Sequence, residues 1–232
     1  MIEVCGLQKR FGTAEALKSI SFTAARGSIT GLLGANGAGK TTCLRIVAGA
    51  LQADAGTVKI DGRLGALLDH TGLYARLTVR ENLQYFGELQ RVPSKQLTAR
   101  IDELLRQLNL WEIADKSAGG LSLGQSTKVA LGRALIHTPD NLLLDEPTNG
   151  LDVPAVRSLR AQLIKLRAAG ACIVFSSHVL EEVRSLCDSL VILARGSVVA
   201  SGSPAELLRQ AGTDSLEDVF MTLTASQEAA HA

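Results

Sequence analysis

The segment Gly34–Thr41, which reads GANGAGKT, constrains the fold of this chain more than any other stretch. The apolar run Ser28–Leu33 precedes it and has the composition of a buried strand, and Thr42–Ala48 continues with the pattern of a helix. A strand, a glycine-rich loop ending in Lys-Thr and a helix, in this order, are typical of a loop that wraps its backbone around a polyphosphate. If a glycine-rich turn ended in Lys-Thr only by chance, neither a strand before it nor a helix after it would be expected.

The residues of this phosphate loop suit the binding of a nucleotide. Glycines allow successive N–H groups to turn inward without a Cβ clash, and the N-terminus of the following helix adds a partial positive charge. Lys40 would reach the β- and γ-phosphates, and Thr41 would bind Mg²⁺. The residues predicted to contact the nucleotide here are Gly34, Asn36, Gly37, Ala38, Gly39, Lys40, Thr41 and Thr42.

Length, charge and cysteine spacing narrow the class of protein. With 232 residues the chain can bury a full core as one domain, with or without an insertion. Its 24 basic and 23 acidic residues are interspersed and give a net charge of +1, which argues against nucleic acid as the main ligand. The four cysteines have no Cys-x-x-Cys spacing, which predicts a reduced, cytoplasmic protein. The amino terminus does not read as a signal peptide, and no stretch reaches the ~18 apolar residues of a membrane span.

Short apolar runs dominate the first part of the chain. Three of them within residues 2–33 predict a small β layer that leads into the phosphate loop. Gly56–Gly62 reads as a strand that closes in an Asp-Gly turn, with Leu64–Leu68 as the returning strand of a hairpin. Phe11 lies among polar residues, where its ring could stack on adenine or could plug the edge of the core.

Residues 72–116 change to a helical pattern. Thr78 and Glu81 have the spacing of a capping box, and five apolar residues farther on share one helical face that should pack into the core. These five are Leu97, Ile101, Leu104, Leu105 and Leu108. The pattern predicts a helical subdomain, approximately residues 72–120, inserted into a single domain of residues 1–224, with a flexible tail over 225–232.

Polar residues that could carry chemistry follow in the second half of the chain. Ser122 and Gln125 could cap one another at the start of a helix. Leu142–Glu146 reads as a buried strand that ends in two carboxylates, a place where a nucleotide and a metal are expected. His178 lies just past the end of a later apolar strand, Ala171–Phe175.

Five segments, taken together, resemble the ordered motifs of ATP-binding cassette (ABC) ATPases, and the resemblance spans about residues 2–210. They are Gly34–Thr42, Leu121–Gln125, Leu142–Glu146, Asn149–Asp152 and His178. The resemblance implies an α/β fold: a P-loop NTPase core with an antiparallel β subdomain and an inserted α-helical subdomain. It also implies a head-to-tail dimer that closes on two ATP molecules.

The same resemblance assigns roles to single residues. Thr41 and Asp145 would hold Mg²⁺, Glu146 would polarise the attacking water, and His178 would contact the γ-phosphate. Such roles agree with phosphoryl transfer, which depends mainly on positioning and charge neutralisation. Read by itself, His178 would be an ordinary surface histidine.

The resemblance also assigns a role to the segment Leu121–Gln125. Ser122, Gly124 and Gln125 resemble signature residues that contact the nucleotide held by the opposite subunit. A capped helix start presents N–H groups to an anion, which suits this role. Read by itself, the segment is a plain helix start.

Three positions depart from the family pattern. Leu123 replaces the usual third-position glycine of the signature and should spare its phosphate-facing neighbours. Asp69 stands where the family has a glutamine that couples to the helical subdomain; a carboxylate could still bind Mg²⁺ or water, with a shorter reach. Phe11 stands where the family often has Tyr, and stacking survives this change.

A transporter motor is the predicted function. ATP binding and hydrolysis would drive a separate transmembrane permease, and the chain would lie in the cytoplasm on the inner face of the membrane. The segment Asp214–Phe220 resembles cassettes of drug- and sodium-type exporters, although it could simply pack on its own domain. One alternative is a soluble cassette that acts on nucleic acid or ribosomes, but such proteins usually have a coiled-coil insertion or two fused cassettes, and the sequence shows neither. Another alternative is a small-molecule kinase with the same phosphate loop, which would leave Leu121–Gln125 and His178 unexplained.

Overall fold

The computed structural model describes residues 1–68 and 72–229. Its strands are β1 (Ile2–Phe11), β2 (Ala14–Ala24), β3 (Ser28–Leu33), β4 (Ala55–Ile60), β5 (Leu64–Leu67), β6 (Asn141–Asp145), β7 (Cys172–Ser177), β8 (Ser189–Ala194) and β9 (Ser197–Gly202). One sheet is antiparallel in the order β2-β1-β4. The other has the order β5-β6-β7-β3-β8-β9 and is parallel except for the pair β8 and β9.

Helices connect and cover these strands. They are α1 (Lys40–Val47), α2 (Val79–Leu89), α3 (Ser94–Gln107), α4 (Leu123–Leu135), α5 (Val153–Ala168), α6 (Leu180–Leu186), α7 (Pro204–Ala211) and α8 (Leu216–Ala229). Two 3-10 turns, Trp111–Ile113 and Ala118–Gly120, lie between α3 and α4. Within the described ranges, no helix combines the length and the apolar character needed to cross a membrane.

Two apolar clusters form the core. One joins α2, α3 and α4 to the parallel sheet and includes Leu83, Leu104 and Phe175. The other joins the antiparallel sheet and α1 to the parallel sheet and includes Ile20 and Leu44. Strands β6 and β7 are buried along their whole length, as expected for central parallel strands that are covered on both faces.

The local predictions for the helices are confirmed. Thr78 and Glu81 form a capping box at the start of α2, and all five residues of the predicted apolar stripe are buried. In α8, Leu216 and Val219 are buried and Phe220 and Leu223 pack against the same core, so this helix covers its own domain. Helix α8 continues through Ala229, and residues 225–229 of the predicted tail are therefore helical.

The predicted hairpin between β4 and β5 is wrong. Strand β4 pairs with β1 in the antiparallel sheet, whereas β5 pairs with β6 in the parallel sheet. The chain passes from one sheet to the other at Gly62, whose φ of 92° is accessible to glycine. The Asn141 side-chain amide fixes this crossing, because it donates to the carbonyl oxygens of Asp61 (2.8 Å) and Arg63 (3.3 Å).

Strand β3 also differs from the prediction of one β layer over residues 2–33. Strands β1 and β2 form that layer together with β4, but β3 lies between β7 and β8 in the parallel sheet. This position brings the C-terminal ends of β3, β6 and β7 to one edge of the sheet. Ligands of open parallel sheets bind at this edge.

Candidate active site

The phosphate loop turns tightly between β3 and α1. Gly37 and Gly39 have φ values of 82° and 106°. A Cβ at Gly39 would lie 2.8 Å from the carbonyl oxygen of Ala16, and one at Gly34 would lie 2.6 Å from that of Leu193. The loop is therefore packed against neighbouring backbone on one side, and Gly34 and Gly39 cannot be replaced without moving that backbone.

Lys40 lies at the mouth of the loop and is 5% exposed. Its ammonium group donates to the carbonyl oxygens of Gly34 (2.7 Å) and Ala35 (3.2 Å). The same nitrogen lies 3.2 Å from Glu146 Oε1. Three partners match the three donors of an ammonium group. A phosphate that binds Lys40 must therefore replace one of these partners or share the ammonium group with it.

Asp145 and Glu146 stand at the end of β6 and are joined to β7 by Ser176. The Ser176 hydroxyl donates to Asp145 Oδ1 at 2.5 Å and accepts from the Glu146 N–H at 2.9 Å. Glu146 has a φ of 44°, an uncommon conformation for a residue with a side chain. Backbone strain of this kind is often found at functional sites, where neighbouring contacts maintain it. Here the buried Ser176 supplies those contacts.

His178 follows β7 and contacts the second oxygen of the Glu146 carboxylate. Its Nδ1 lies 3.1 Å from Glu146 Oε2. One carboxylate thus touches Lys40 through one oxygen and His178 through the other. The structure therefore brings together three of the residues that the sequence predicts to act on the nucleotide.

Ser176 is a residue of this site that the sequence analysis missed. The signal was present, because the apolar strand Ala171–Phe175 is followed directly by two serines at its C-terminal end. The prediction ended that strand at Phe175, although β7 extends through Ser177. A buried hydroxyl at a strand end needs a partner, and the adjacent strand that carries the two carboxylates provides it.

The other residues that the sequence predicts at the nucleotide are Thr41, Thr42, Phe11 and Asp69. Thr41 and Thr42 occupy the first turn of α1 and are half-buried. Phe11 is 52% exposed, so the reading of this ring as a plug of the core is wrong, and stacking on adenine stays a prediction. The Lys9 ammonium group lies 5.6 Å from the centre of the Phe11 ring. Asp69, the predicted replacement for the coupling glutamine, lies outside the described residues.

Cys43 is buried behind the phosphate loop, on α1. Burial raises the pKa of its thiol to about 12. The group is therefore a thiol at neutral pH, and it behaves as a small apolar side chain in the core.

The segment Ser122–Gln125 forms the predicted capping box at the start of α4. The Ser122 N–H donates to Gln125 Oε1 at 3.0 Å, and the Gln125 N–H donates to Ser122 Oγ at 3.3 Å. Ser122, Gly124 and Gln125 line a cleft of about 550 Å³ together with Gly150 and Asp152. No residue of the phosphate loop lines this cleft. The described structure thus keeps the signature residues in a separate cleft.

Comparison with known proteins agrees with this geometry. A sequence model of a protein family, described as "ABC transporter", matches residues 17–149. The chain belongs to this family. Its members bind ATP and hydrolyse it to drive transport, so the chain is an ABC-type ATP-binding subunit.

Relatives of known description cover most of the chain. The ABC transporter ATP-binding protein NatA of Bacillus subtilis is 37% identical, over 96% of this chain and 97% of that protein. The Nod factor export ATP-binding protein I of Ralstonia nicotianae is 37% identical, over 94% of this chain and 72% of that protein. The sulfate/thiosulfate import ATP-binding protein CysA of Synechococcus elongatus is also 37% identical, over 89% of this chain and 63% of that protein.

A solved structure confirms the fold class predicted from the sequence. The structure, described as the ATP-binding subunit of an ABC transporter, superposes with a TM-score of 0.89 at 28% identity. The match covers 97% of this chain and 99% of that one. The comparisons give no support to a cassette that acts on nucleic acid or ribosomes.

Replacing Ser176 with alanine should slow ATP hydrolysis by about 10- to 100-fold, because Asp145 loses a buried hydrogen bond and the Glu146 N–H loses a partly buried one. ATP affinity should change much less, since Ser176 does not contact the phosphate loop in the described contacts. Steady-state ATPase rates and nucleotide titration would measure the two quantities. Ser189→Ala removes a hydroxyl bonded to Thr30 at the opposite end of the sheet and serves as the control. A parental rate in Ser176→Ala would contradict this role.

Proposed function

We propose that the chain is the ATPase subunit of a membrane exporter, in which two copies close on ATP and drive a separate permease. The observation that carries the ATPase part of the proposal is the contact of one carboxylate, Glu146, with both Lys40 and His178 at the edge where β3, β6 and β7 end. This edge combines a cationic phosphate ligand, a candidate base and a histidine, the groups that hydrolysis of a phosphoanhydride needs.

Glu146 is the candidate general base in this arrangement. Its side chain is 21% exposed, which leaves the carboxylate accessible to a water molecule. When Lys40 turns to the phosphates of ATP, the carboxylate loses its cationic partner and becomes available to accept a proton from the attacking water. His178 remains beside it and orients the same carboxylate through Nδ1.

The residues near this base fit Mg²⁺ as a partner of ATP. Mg²⁺ prefers oxygen ligands and is usually held by one or two protein groups together with substrate phosphates and water. The Thr41 hydroxyl and the Asp145 carboxylate are oxygen ligands of this kind, and the Ser176 hydrogen bond already orients the carboxylate. When bound, Mg²⁺ would neutralise negative charge on the phosphates.

Export is the direction of transport that we propose. The description of one relative names export of a Nod factor, and the match covers 72% of that protein. CysA, whose description names import, shares the same identity over a smaller part of its own length. The resemblance of Asp214–Phe220 to the cassettes of exporters also points to export.

An aromatic patch on α2 and the segment before it provides a surface for the permease. Tyr74, Tyr85 and Leu89 are each more than a third exposed. The rings of Tyr74 and Tyr85 meet edge to face with centres 4.8 Å apart, and Phe86 packs beside both. Aromatic side chains of this kind are enriched at the centres of protein interfaces. A permease bound here would hold the chain on the inner face of the membrane.

Membrane pull-down tests this function. The tagged chain should recover a transmembrane protein, and Tyr85→Ala combined with Leu89→Ala should lower the recovery about tenfold or more, as for central interface residues. The ATPase rate of the isolated double variant should equal that of the parent. Trp111→Ala, which changes another exposed aromatic residue, is the control. Recovery of ribosomes or nucleic acid in place of a membrane protein would refute the proposal, and uptake of substrate into inverted vesicles would establish export.

A further inference from the structure

One carboxylate oxygen outside the predicted site joins the two loops that carry Glu146 and His178. Glu182, in the first turn of α6, accepts hydrogen bonds through Oε2 from the Thr148 hydroxyl at 2.7 Å and from the Ser177 hydroxyl at 3.0 Å. Thr148 lies two residues after Glu146, and Ser177 directly precedes His178. Both hydrogen bonds are partly buried, where solvent competes less for the donors and the acceptor.

Thr148 and Ser177 each lie in a segment that is also held by hydrogen bonds of the neighbouring backbone. The Asn149 N–H donates to the carbonyl oxygen of Glu146 at 3.0 Å, and the Leu151 N–H donates to that of Thr148 at 3.1 Å. On the other loop, the Val179 N–H donates to Ser177 Oγ at 2.9 Å. A shift of either hydroxyl would therefore move backbone that is directly attached to Glu146 or His178.

The loop that contains Thr148 also reaches the signature segment. Gly150 has a φ of 73°, and a Cβ there would lie 2.6 Å from Cδ2 of Leu123. The loop is therefore in close contact with the start of α4. Through Thr148, Glu182 therefore connects the end of β7 to the loop that contacts Leu123. Leu123 belongs to the signature segment, which is predicted to contact the nucleotide of the opposite subunit.

We propose that Glu182 is a positioning residue for ATP hydrolysis. It clamps the loop after Glu146 to the end of β7 directly before His178, and so keeps the carboxylate and the imidazole at hydrogen-bond distance. It makes no described contact with the phosphate loop. Loss of the clamp should therefore lower kcat and leave ATP affinity unchanged.

A purely structural role for Glu182 would come from its place in the first turn of a helix, where an acidic side chain is favourable. Glu181 shares that turn and is exposed. Glu181→Ala therefore removes the same charge from the same helix end without touching Thr148 or Ser177. It is the matched control.

The test compares Glu182→Ala, Glu182→Gln and Glu181→Ala in steady-state ATPase assays, with nucleotide titration and thermal unfolding of each variant. Glu182→Ala should lose about 10- to 100-fold in kcat, the size expected for two hydrogen bonds to a charged group, with an unchanged ATP Kd. Glu182→Gln keeps an acceptor oxygen and should restore most of the rate. Glu181→Ala should match the parent.

A double-mutant cycle separates positioning from stability. Thr148→Val combined with Glu182→Ala should reduce kcat no further than Glu182→Ala alone, because the two residues share one interaction. If Glu182→Ala does not fold, Thr148→Val and Ser177→Ala each remove one of the two bonds and should each lower kcat. A parental kcat in these variants, or equal losses in Glu181→Ala and Glu182→Ala, would overturn the proposal. Inactivity of the parent would instead refute the hydrolysis on which it rests.

Discussion

Replacing Glu146 with glutamine is expected to reduce ATP turnover by about 10²- to 10⁴-fold and to leave ATP binding intact. The amide keeps the shape of the side chain but cannot accept a proton as a carboxylate does. Phosphate release in steady state measures the turnover, and titration with a fluorescent ATP analogue measures the binding. Hydrolysis at the parental rate would show that another group is the base.

The structure adds an expectation for the affinity of this variant. Glu146 Oε1 lies 3.2 Å from Lys40 Nζ, so in the parent the carboxylate competes with phosphate for the ammonium group. A neutral amide competes less, and Glu146→Gln should bind ATP at least as tightly as the parent. Lys40→Ala provides the contrast, because loss of a charged hydrogen-bond donor should weaken ATP binding by about 10- to 100-fold. Weaker ATP binding in Glu146→Gln than in the parent, or parental ATP binding in Lys40→Ala, would contradict this account of the pair.

Local rules are sufficient to predict the parts of this fold that depend on neighbouring residues. The capping boxes at Thr78, Ser122 and Ser203 form because a hydroxyl and a carboxylate or amide three residues later satisfy backbone groups of the same turn. The phosphate loop follows from glycines at positions where a Cβ would clash, as at Gly34, or where φ is positive, as at Gly37. The apolar face of α3 follows from its helical spacing.

Pairing between distant strands could not be obtained in this way. The Asp-Gly sequence before β5 is a turn signal, but it does not determine which strands lie on either side of the turn. Strand β5 joins the parallel sheet because β6 lies beside it, and Leu64 pairs with Asn141 far along the chain. Helix α6 is only seven residues long and has no strong pattern, so it was not predicted.

The residues of the candidate site also fall into those that the sequence predicts and those that it does not. Lys40, Asp145, Glu146 and His178 were identified because their types and order match the motifs of a family. Ser176 and Glu182 were not, since their roles arise from hydrogen bonds between strands and loops that are distant in sequence. Stacking by Phe11 and metal binding by Thr41, Asp145 and Asp69 stay predictions. The roles of Lys40, Glu146 and His178 at the nucleotide stay predictions as well.

The assembly of two copies is expected to depend on ATP. Ser122 and Gly124 line a cleft that no phosphate-loop residue shares, so within one described chain they do not complete the site around Lys40. If they complete the site of a second copy, the γ-phosphate becomes part of the interface and joins the two chains through charge-assisted hydrogen bonds. In the slow Glu146→Gln background, sedimentation should therefore show a monomer with ADP and a dimer with ATP and Mg²⁺.

Ser122→Arg, added to Glu146→Gln, should restore the monomer in the presence of ATP, because a long side chain would occupy the space that the partner's nucleotide needs. ATP binding to each monomer should change little, since its main contacts come from Lys40 and the phosphate loop.

The substitution also removes a helix cap, which costs about 1 kcal/mol of stability. Ser203→Arg controls for this loss, because Ser203 forms the same type of capping box at α7, outside the cleft. The isolated chain must be used, since a permease could hold two copies together without ATP. A dimer that forms with ADP, or one that survives Ser122→Arg, would show that Ser122–Gln125 is only a helix cap.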